Sequence, residues 1–241
     1  MYSSSFRRLL SATYAGLRRR ATDGGQMSYA QCGEDLIVDF LLSALKPARV
    51  RYLDIGAHHP THLSNTYFFY QRGASGVCVE PDAALARAFV KVRPRDRCLN
   101  VGIGPQAGVA DFFLMSTSTL NTFSREQAEK FQSYGNQRIE QVVQVPIRDI
   151  NSVIEENFEQ PPELVSLDIE GLDLPVLQSL DFRRHRPLVF CIETLTYTED
   201  RTERKLHEII DWMTRQDYML YADTFINSIF VERQAWLQRR G

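Results

Sequence analysis

Short apolar runs alternate with segments of helical period along most of this chain, and that alternation limits the fold more than any other feature. VRYLDIGAH (50–58), GVCVEPD (76–82), CLNVGIG (98–104), LVSLDIEG (164–171) and PLVFCIET (187–194) each read as a buried strand. Helices are expected at 34–45, at 62–73, at 84–92 before Pro94, at 147–157, at 172–182 with Pro175 in the first turn, and at 201–216. YMLYAD (218–223) and SIFVER (228–233) add two strands near the end. The pattern predicts an α/β fold: a seven-stranded, mostly parallel sheet with helices on both faces. The last two strands are too close for a crossover, so one of them should run antiparallel. VADFFLM (109–115) and EQVVQVPI (140–147) alternate like a separate strand pair, with a loop and a helix between them.

Several function classes fall away at this point. The longest apolar stretch, LIVDFLLSAL at 36–45, is well short of the roughly 20 residues that a membrane span needs. A net charge of −2 gives no basic excess for nucleic acid, so no nucleic-acid partner is expected. Among four cysteines, Cys32, Cys78, Cys98 and Cys191, no CxxC pair occurs. Cys78 and Cys191 stand inside strand-like runs and read as buried reduced thiols of a cytoplasmic protein.

Residues 1–20 differ from the rest. They carry five arginines and no acid, and they leave the remaining chain with 23 basic against 30 acidic residues. Phe6, Leu9, Leu10, Tyr14 and Leu17 recur at helical spacing. Three readings fit: a basic helix lying peripherally on the inner face of an anionic membrane, a transit peptide, or a leader that frays or packs on a partner. The expected organisation is a basic leader at 1–25 and one domain at 26–241. Oligomeric state is not encoded legibly.

In open parallel sheets ligands bind at the carboxyl ends of the strands. Here those ends carry Asp54, Glu80, Asn100, Asp168 and Glu193. Such a lining suits hydroxyls and cations better than phosphates. A glycine turn after strand one and an acid ending strand two form the device that grips an adenosine ribose. A dinucleotide also needs G-x-G-x-x-G to cradle its pyrophosphate, and DIGAHHPTHLS has one glycine with an acid just before it. That acid would repel a pyrophosphate and suit the ammonium and sulfonium of S-adenosylmethionine. A methyltransferase is therefore favoured over a nicotinamide oxidoreductase.

YLDIGAHHP, VCVEPD, LNVGIG and VSLDIEGLDLPVLQSLDF, preceded by SYAQCGEDL, together resemble the FkbM family of S-adenosylmethionine-dependent methyltransferases. The similarity runs from about Ser28 to Glu193 or beyond. It implies a Rossmann-like class I methyltransferase fold and O-methylation of a hydroxyl, on a sugar or surface glycan or on a polyketide-type small molecule. Many members carry a second glycine in the first loop, where Ala57, His58, His59 and Pro60 stand here. The resemblance also implies roles. Asp54, Gly56 and Ala57 face the methionine end of the cofactor, and Glu80 holds the ribose. Pro81 and Asp82 flank the adenine, which Asn100 and Val101 line. Gln31 and Glu34 either close over the site or serve as helix caps.

The chemistry needs alignment of oxygen, methyl and sulfur, and removal of the alcohol proton. Asp168 is the first candidate for alignment or base action, with Glu170 second. Asp168 could instead cap the next helix. His58 is a further candidate base, with an unperturbed pKa near 6.5. His59, Asn121 and Glu193 are candidate acceptor-binding residues, with Thr119 and Thr122 beside them. No HxH or HExxH spacing supports a metal. Amine-directed enzymes that act on DNA bases or glutamine amides often carry an Asn-Pro-Pro-aromatic motif where LDIEG stands here, and an amine acceptor stays an alternative. A domain of this type that binds a partner without catalysis remains the alternative from a different class.

Overall fold

A computed structural model describes residues 25–169, 171–196 and 202–239. The basic leader and Glu170, both singled out above, lie outside the described residues.

Helix α1 (Glu34–Leu45) precedes strand β1 (Arg51–Ile55), followed by α2 (Tyr67–Gln71), β2 (Ser75–Val79), α3 (Ala83–Val92), β3 (Arg97–Leu99), β4 (Gly102–Gly104) and β5 (Gly108–Met115). A 3-10 turn at Ser118–Leu120 and α4 (Arg125–Ser133) lead into β6 (Ile139–Asp149) and α5 (Ile150–Asn157). The chain then forms β7 (Leu164–Leu167), α6 (Asp173–Ser179), β8 (Val189–Glu193), α7 (His207–Arg215), β9 (Tyr218–Asp223), β10 (Asn227–Glu232) and α8 (Arg233–Gln238).

The main sheet has seven strands in the order β3-β2-β1-β7-β8-β10-β9. Strand β10 runs antiparallel to both its neighbours, and the other pairs are parallel. The chain winds outward from β1 through β2 to β3, then restarts at β7 beside β1 and winds the other way. The reversal leaves a crevice at the carboxyl ends of β1 and β7, where Ile55 pairs with Leu167.

Period-two alternation assigns the strand residues to two cores. Leu53, Ile55, Val77, Val79, Val165, Leu167, Phe190 and Ile192 face α5, α6 and α7. Tyr52, Cys78, Leu164, Val189 and Cys191 face α1, α2 and α3. Cys78 and Cys191 are buried free thiols, as expected. Parity puts Asp54 and Ser166 on the α1–α3 side, so that core carries a polar seam. Its anchor is the ion pair of Arg93 with Asp96, 2.7 Å long with neither side chain exposed. Asp96 also accepts from the Tyr52 hydroxyl at 2.7 Å and from Gly76 N–H at 2.9 Å.

Four expectations about local structure need correction. CLNVGIG is two strands: Asn100 Nδ2 donates to the carbonyls of Glu80 (2.9 Å) and Pro81 (2.8 Å), turning the chain out of the main sheet. Strand β4 then joins β6 and β5 in a second sheet. Gly102 is held so tightly there that a Cβ would meet Phe123 and Ile147 at 2.5 and 2.6 Å. The helix expected at 62–73 begins only at Tyr67, because Ser64 and Thr66 spend their side chains on the loop and on Asp54. The helix expected from 201 begins at His207; Lys205 instead pairs with Leu195, and its ammonium reaches Asp223 at 2.6 Å. The helix expected over 147–157 begins at Ile150, since β6 runs on to Asp149, whose carboxylate accepts from Ser152 N–H as its N-cap. Helix α8 had no expectation.

Candidate active site

Strand β1 ends in a turn that only glycine can make. Gly56 has φ +77°, and a Cβ there would sit 1.8 Å from the Asp168 carbonyl oxygen. Gly56 and Ala57 N–H donate to Val79 O at 3.0 and 3.1 Å, and Asp168 N–H donates to Ile55 O at 3.0 Å. The ends of β1, β2 and β7 are thereby tied to one another.

They open on a cavity of about 290 Å³. Of the residues singled out from sequence, Asp54, Gly56, Ala57, Glu80, Pro81 and Val101 reach its wall from β1, β2 and the segment after β3. Asp168 and Glu193 reach it from the ends of β7 and β8. Gln31, His58, Asn121, Thr119 and Thr122 reach it from loops. His59, Asp82 and Asn100 stand off the wall. The His59 ring closes its own turn, with Nδ1 accepting from His62 N–H at 3.0 Å. Asp82 caps α3 by accepting from Ala84 and Leu85 N–H at 2.7 and 3.3 Å. Asn100 is spent on the backbone of 80–81, as above.

Glu80 is buried, and each of its carboxylate oxygens accepts one backbone N–H, Oε2 from His58 and Oε1 from Asp82, both at 2.8 Å. Each oxygen has a second lone pair. The carboxylate is thus oriented by the backbone and can accept two more donors from the cavity, which matches a vicinal diol. Burial pushes its pKa up to about 8, against the pull of the two N–H donors.

Asp54 is also buried. It accepts from Thr66 Oγ1 at 2.5 Å, and Ser166 stands opposite it on β7. Burial raises its pKa, and the Arg93 guanidinium pulls in the opposite direction.

Asp168 is exposed at the cavity and forms part of its wall. A side-chain hydrogen bond joins it to Glu193. Two carboxyls can bond in this way only if one of them keeps a proton. The low dielectric around Asp168 raises its pKa, and the charge of Asp54 adds to the rise. Behind it, buried Asp173 accepts from Ile169 and Gly171 N–H, both at 3.2 Å. This fixes the turn that carries Asp168. Burial first and then the charge of Asp168 push the Asp173 pKa up to about 7.

His58 has φ +48° and its Nε2 lies 3.0 Å from Ser118 Oγ. Burial, with His59 and His62 nearby, lowers its pKa, so the ring is neutral near pH 7. Asn121 is largely committed to its loop: Oδ1 accepts from Met115 N–H at 2.8 Å and Nδ2 donates to Asp82 at 3.3 Å.

Glu34 does not reach the cavity wall. Its Oε1 accepts from Thr224 Oγ1 (2.7 Å) and Asn227 Nδ2 (3.0 Å), stapling α1 to the β9–β10 turn. Asp35 gathers Ser28 Oγ (2.6 Å) and Tyr29 N–H (2.7 Å). Together the two acids fold the SYAQ segment back so that Gln31 stands at the cavity.

Sequence reading missed Asn65, Thr66, Arg93, Asp96, Ser166 and Asp173. Only Asp173 left a sequence signal, as an acid beside a helix start two residues before Pro175. Among the described residues no group of three or more His, Cys, Asp or Glu side chains is placed to hold a metal ion. Nor, among those residues, is any helix long and apolar enough to cross a membrane.

Residues 54–220 match the family described as the methyltransferase FkbM domain. No curated protein matches the chain. Solved structures that resemble it include a putative caffeoyl-CoA O-methyltransferase from Staphylococcus aureus, at 9% identity and TM-score 0.43, covering 95% of this chain and 100% of the other. An O-methyltransferase from Bacillus cereus in complex with S-adenosylhomocysteine has 10% identity and TM-score 0.43, with 95% and 90% covered. A TehB-like SAM-dependent methyltransferase from Corynebacterium glutamicum has 12% identity and TM-score 0.41, with 93% and 99% covered.

Proposed function

The chain belongs to the FkbM methyltransferase family, and from that premise we propose that it methylates a hydroxyl of a small polyhydroxylated acceptor, a sugar or glycan unit. The reading is carried by one observation: a carboxyl pair, Asp168 with Glu193, opens onto the same cavity as the ribose-compatible Glu80.

The cavity residues fit S-adenosylmethionine. Glu80 offers two unused lone pairs for a diol, and Asp54 offers negative charge for a cation. When bound, the cofactor supplies a sulfonium-activated methyl group. The chain then has two tasks: to hold the acceptor oxygen in line with that methyl and to take its proton. Asp168 is the base in this reading. Its pKa is raised, chiefly by loss of surrounding water, which makes the carboxylate a stronger base than an ordinary one. The proton lost from the hydroxyl passes to the Asp168–Glu193 pair. His58, neutral and tied to Ser118, orients the acceptor loop. Gln31, Ser118 and Thr119 offer donors and acceptors on the acceptor side, with Leu63, Phe112 and Phe123 as apolar surface. A mixed polar and aromatic wall is the kind that recognises sugars.

The test has two stages. Calorimetry with S-adenosylhomocysteine should give saturable binding. Labelled methyl transfer to a panel of sugars, sugar nucleotides, polyketide alcohols and amines should then yield an alkali-stable methyl ether on a sugar. Transfer to amines alone would overturn the oxygen reading. Tight cofactor binding with no transfer to any acceptor class would favour the non-catalytic binding domain.

A further inference from the structure

Two hydroxyls stand beside Asp54, and each is held from behind by a group that can only donate. Thr66 Oγ1 lies 2.5 Å from Asp54 Oδ2 and receives Arg93 Nη2 at 2.9 Å. Ser166 stands opposite Asp54 in the β1–β7 register, where it acts to lower the Asp54 pKa, and receives Asn65 Nδ2 at 3.1 Å. A guanidinium nitrogen and an amide NH₂ have no acceptor capacity. Thr66 and Ser166 therefore accept from behind, and the single proton of each is left for Asp54.

The donors are themselves fixed. Arg93 has no exposed side-chain surface, pairs with Asp96 at 2.7 Å, and reaches Ser64 Oγ and the Pro60 carbonyl at 3.3 and 3.4 Å. Asn65 stands on the cavity wall in the same loop. A carboxylate that accepts an oriented O–H group and has a second hydroxyl beside it is stabilised as an anion. A carboxylic acid in its place would aim its own proton at hydroxyls whose lone pairs already serve Arg93 and Asn65. The charges bearing on Asp54 are the Arg93 cation and, opposing it, Asp96, Glu80 and Asp168.

We propose that Thr66 and Ser166 are positioning residues: held by Arg93 and Asn65, they lock Asp54 as an acceptor-only carboxylate that attracts the ammonium of the cofactor's methionine end. This rests on the reading of the cavity as the cofactor site. Thr66 lies off the cavity wall; Ser166 is on the wall, and its role in this scheme is still to support Asp54. They act through Asp54, and the effect is confined to the amino-acid end of the cofactor.

Two calorimetric probes separate this role from general support of the fold: S-adenosylhomocysteine, which carries the ammonium, and 5′-methylthioadenosine, which shares the adenosine but lacks it. Thr66→Val should weaken S-adenosylhomocysteine roughly tenfold, the scale of one lost hydrogen bond to a charged group. It should leave methylthioadenosine unchanged, and Thr66→Ser should restore the first probe. Ser166→Ala should act in the same direction, and it carries the test if thermal unfolding shows that Thr66→Val does not fold. Equal weakening of both probes, no weakening of either, or a Thr66→Ser chain as weak as the valine variant would overturn the proposal. Asp54→Asn, run in parallel, should lose affinity for S-adenosylhomocysteine alone. If it binds both probes as the unaltered chain does, the assignment of Asp54 to the cofactor has failed rather than the role of its hydroxyl partners.

Discussion

On the β1 and β7 side of the cavity the acids stand at strand ends and are backed by buried donors. On the 116–123 side the polar groups stand on a loop. Asp54 and Glu80 are each 4% exposed and held by oriented hydrogen bonds, whereas Ser118 and Thr119 are exposed. The first wall has one conformation built into the sheet. The second can be altered with little cost to the core. In the reading proposed above, the rigid wall suits the cofactor and the loop suits the acceptor.

Changes that break this contrast should differ in size. Gly56→Ala is expected to have the largest effect. Its Cβ would overlap the Asp168 carbonyl at 1.8 Å, and φ is +77° there. Overpacking and strain of this kind cost about 3 kcal/mol or more, read as a lower denaturation midpoint with an unchanged slope. An unshifted midpoint would show that the β1 turn is not tied to β7 as described.

Next, Asp168→Asn should lower methyl transfer on the order of 10²-fold to 10⁴-fold, with S-adenosylhomocysteine affinity held. Full activity in that variant would move the base elsewhere, with His58 the first alternative to examine by His58→Gln.

Glu80→Gln should weaken S-adenosylhomocysteine by about 1.5–3 kcal/mol, because the amide cannot accept from both His58 and Asp82 N–H and also from the ribose. The pH dependence has a definite sign. The Glu80 pKa is raised to about 8, so protonation stabilises the ligand-free fold at acid pH. That contribution is complete below the ordinary carboxylate range and is lost as pH rises through about 8. Asp173, raised to about 7, adds in the same direction. Ribose hydroxyls favour the ionised carboxylate, so cofactor affinity should rise with pH up to about 8 while the stability of the ligand-free chain falls. An affinity flat across pH 5–8 in the unaltered chain would contradict the burial of Glu80.

The smallest effect belongs to the loop. Ser118→Ala or Thr119→Ala should raise the acceptor KM by a few-fold, about 0.5–1.5 kcal/mol, and leave cofactor affinity unchanged. A loss of cofactor affinity in either variant would show that the two walls are not independent.

Much of the first wall was legible from sequence. The glycine turn after β1, the acid ending β2 and the acid after β7 each sit at a strand's carboxyl end, and strand ends can be read from local pattern. The hydroxyls and the guanidinium behind Asp54 were not legible. Thr66 lies in a segment whose composition suits a helix, and Arg93 resembles any basic residue in the last turn before a proline. Their partners are 12 and 27 residues away in the chain. The split of CLNVGIG was hidden for a similar reason: local β-propensity carries no information about which sheet a strand will join.

Alternation of strand and helix, read residue by residue, was enough to establish the parallel sheet, its antiparallel strand and the acids along its edge, because period and turn chemistry are short-range properties. Tertiary structure alone decided which candidate residues share the cavity, which serve as caps or staples, and which buried donors surround Asp54. Those outcomes depend on low dielectric and close contact between segments distant in the chain, and such conditions exist only once the sheet has assembled.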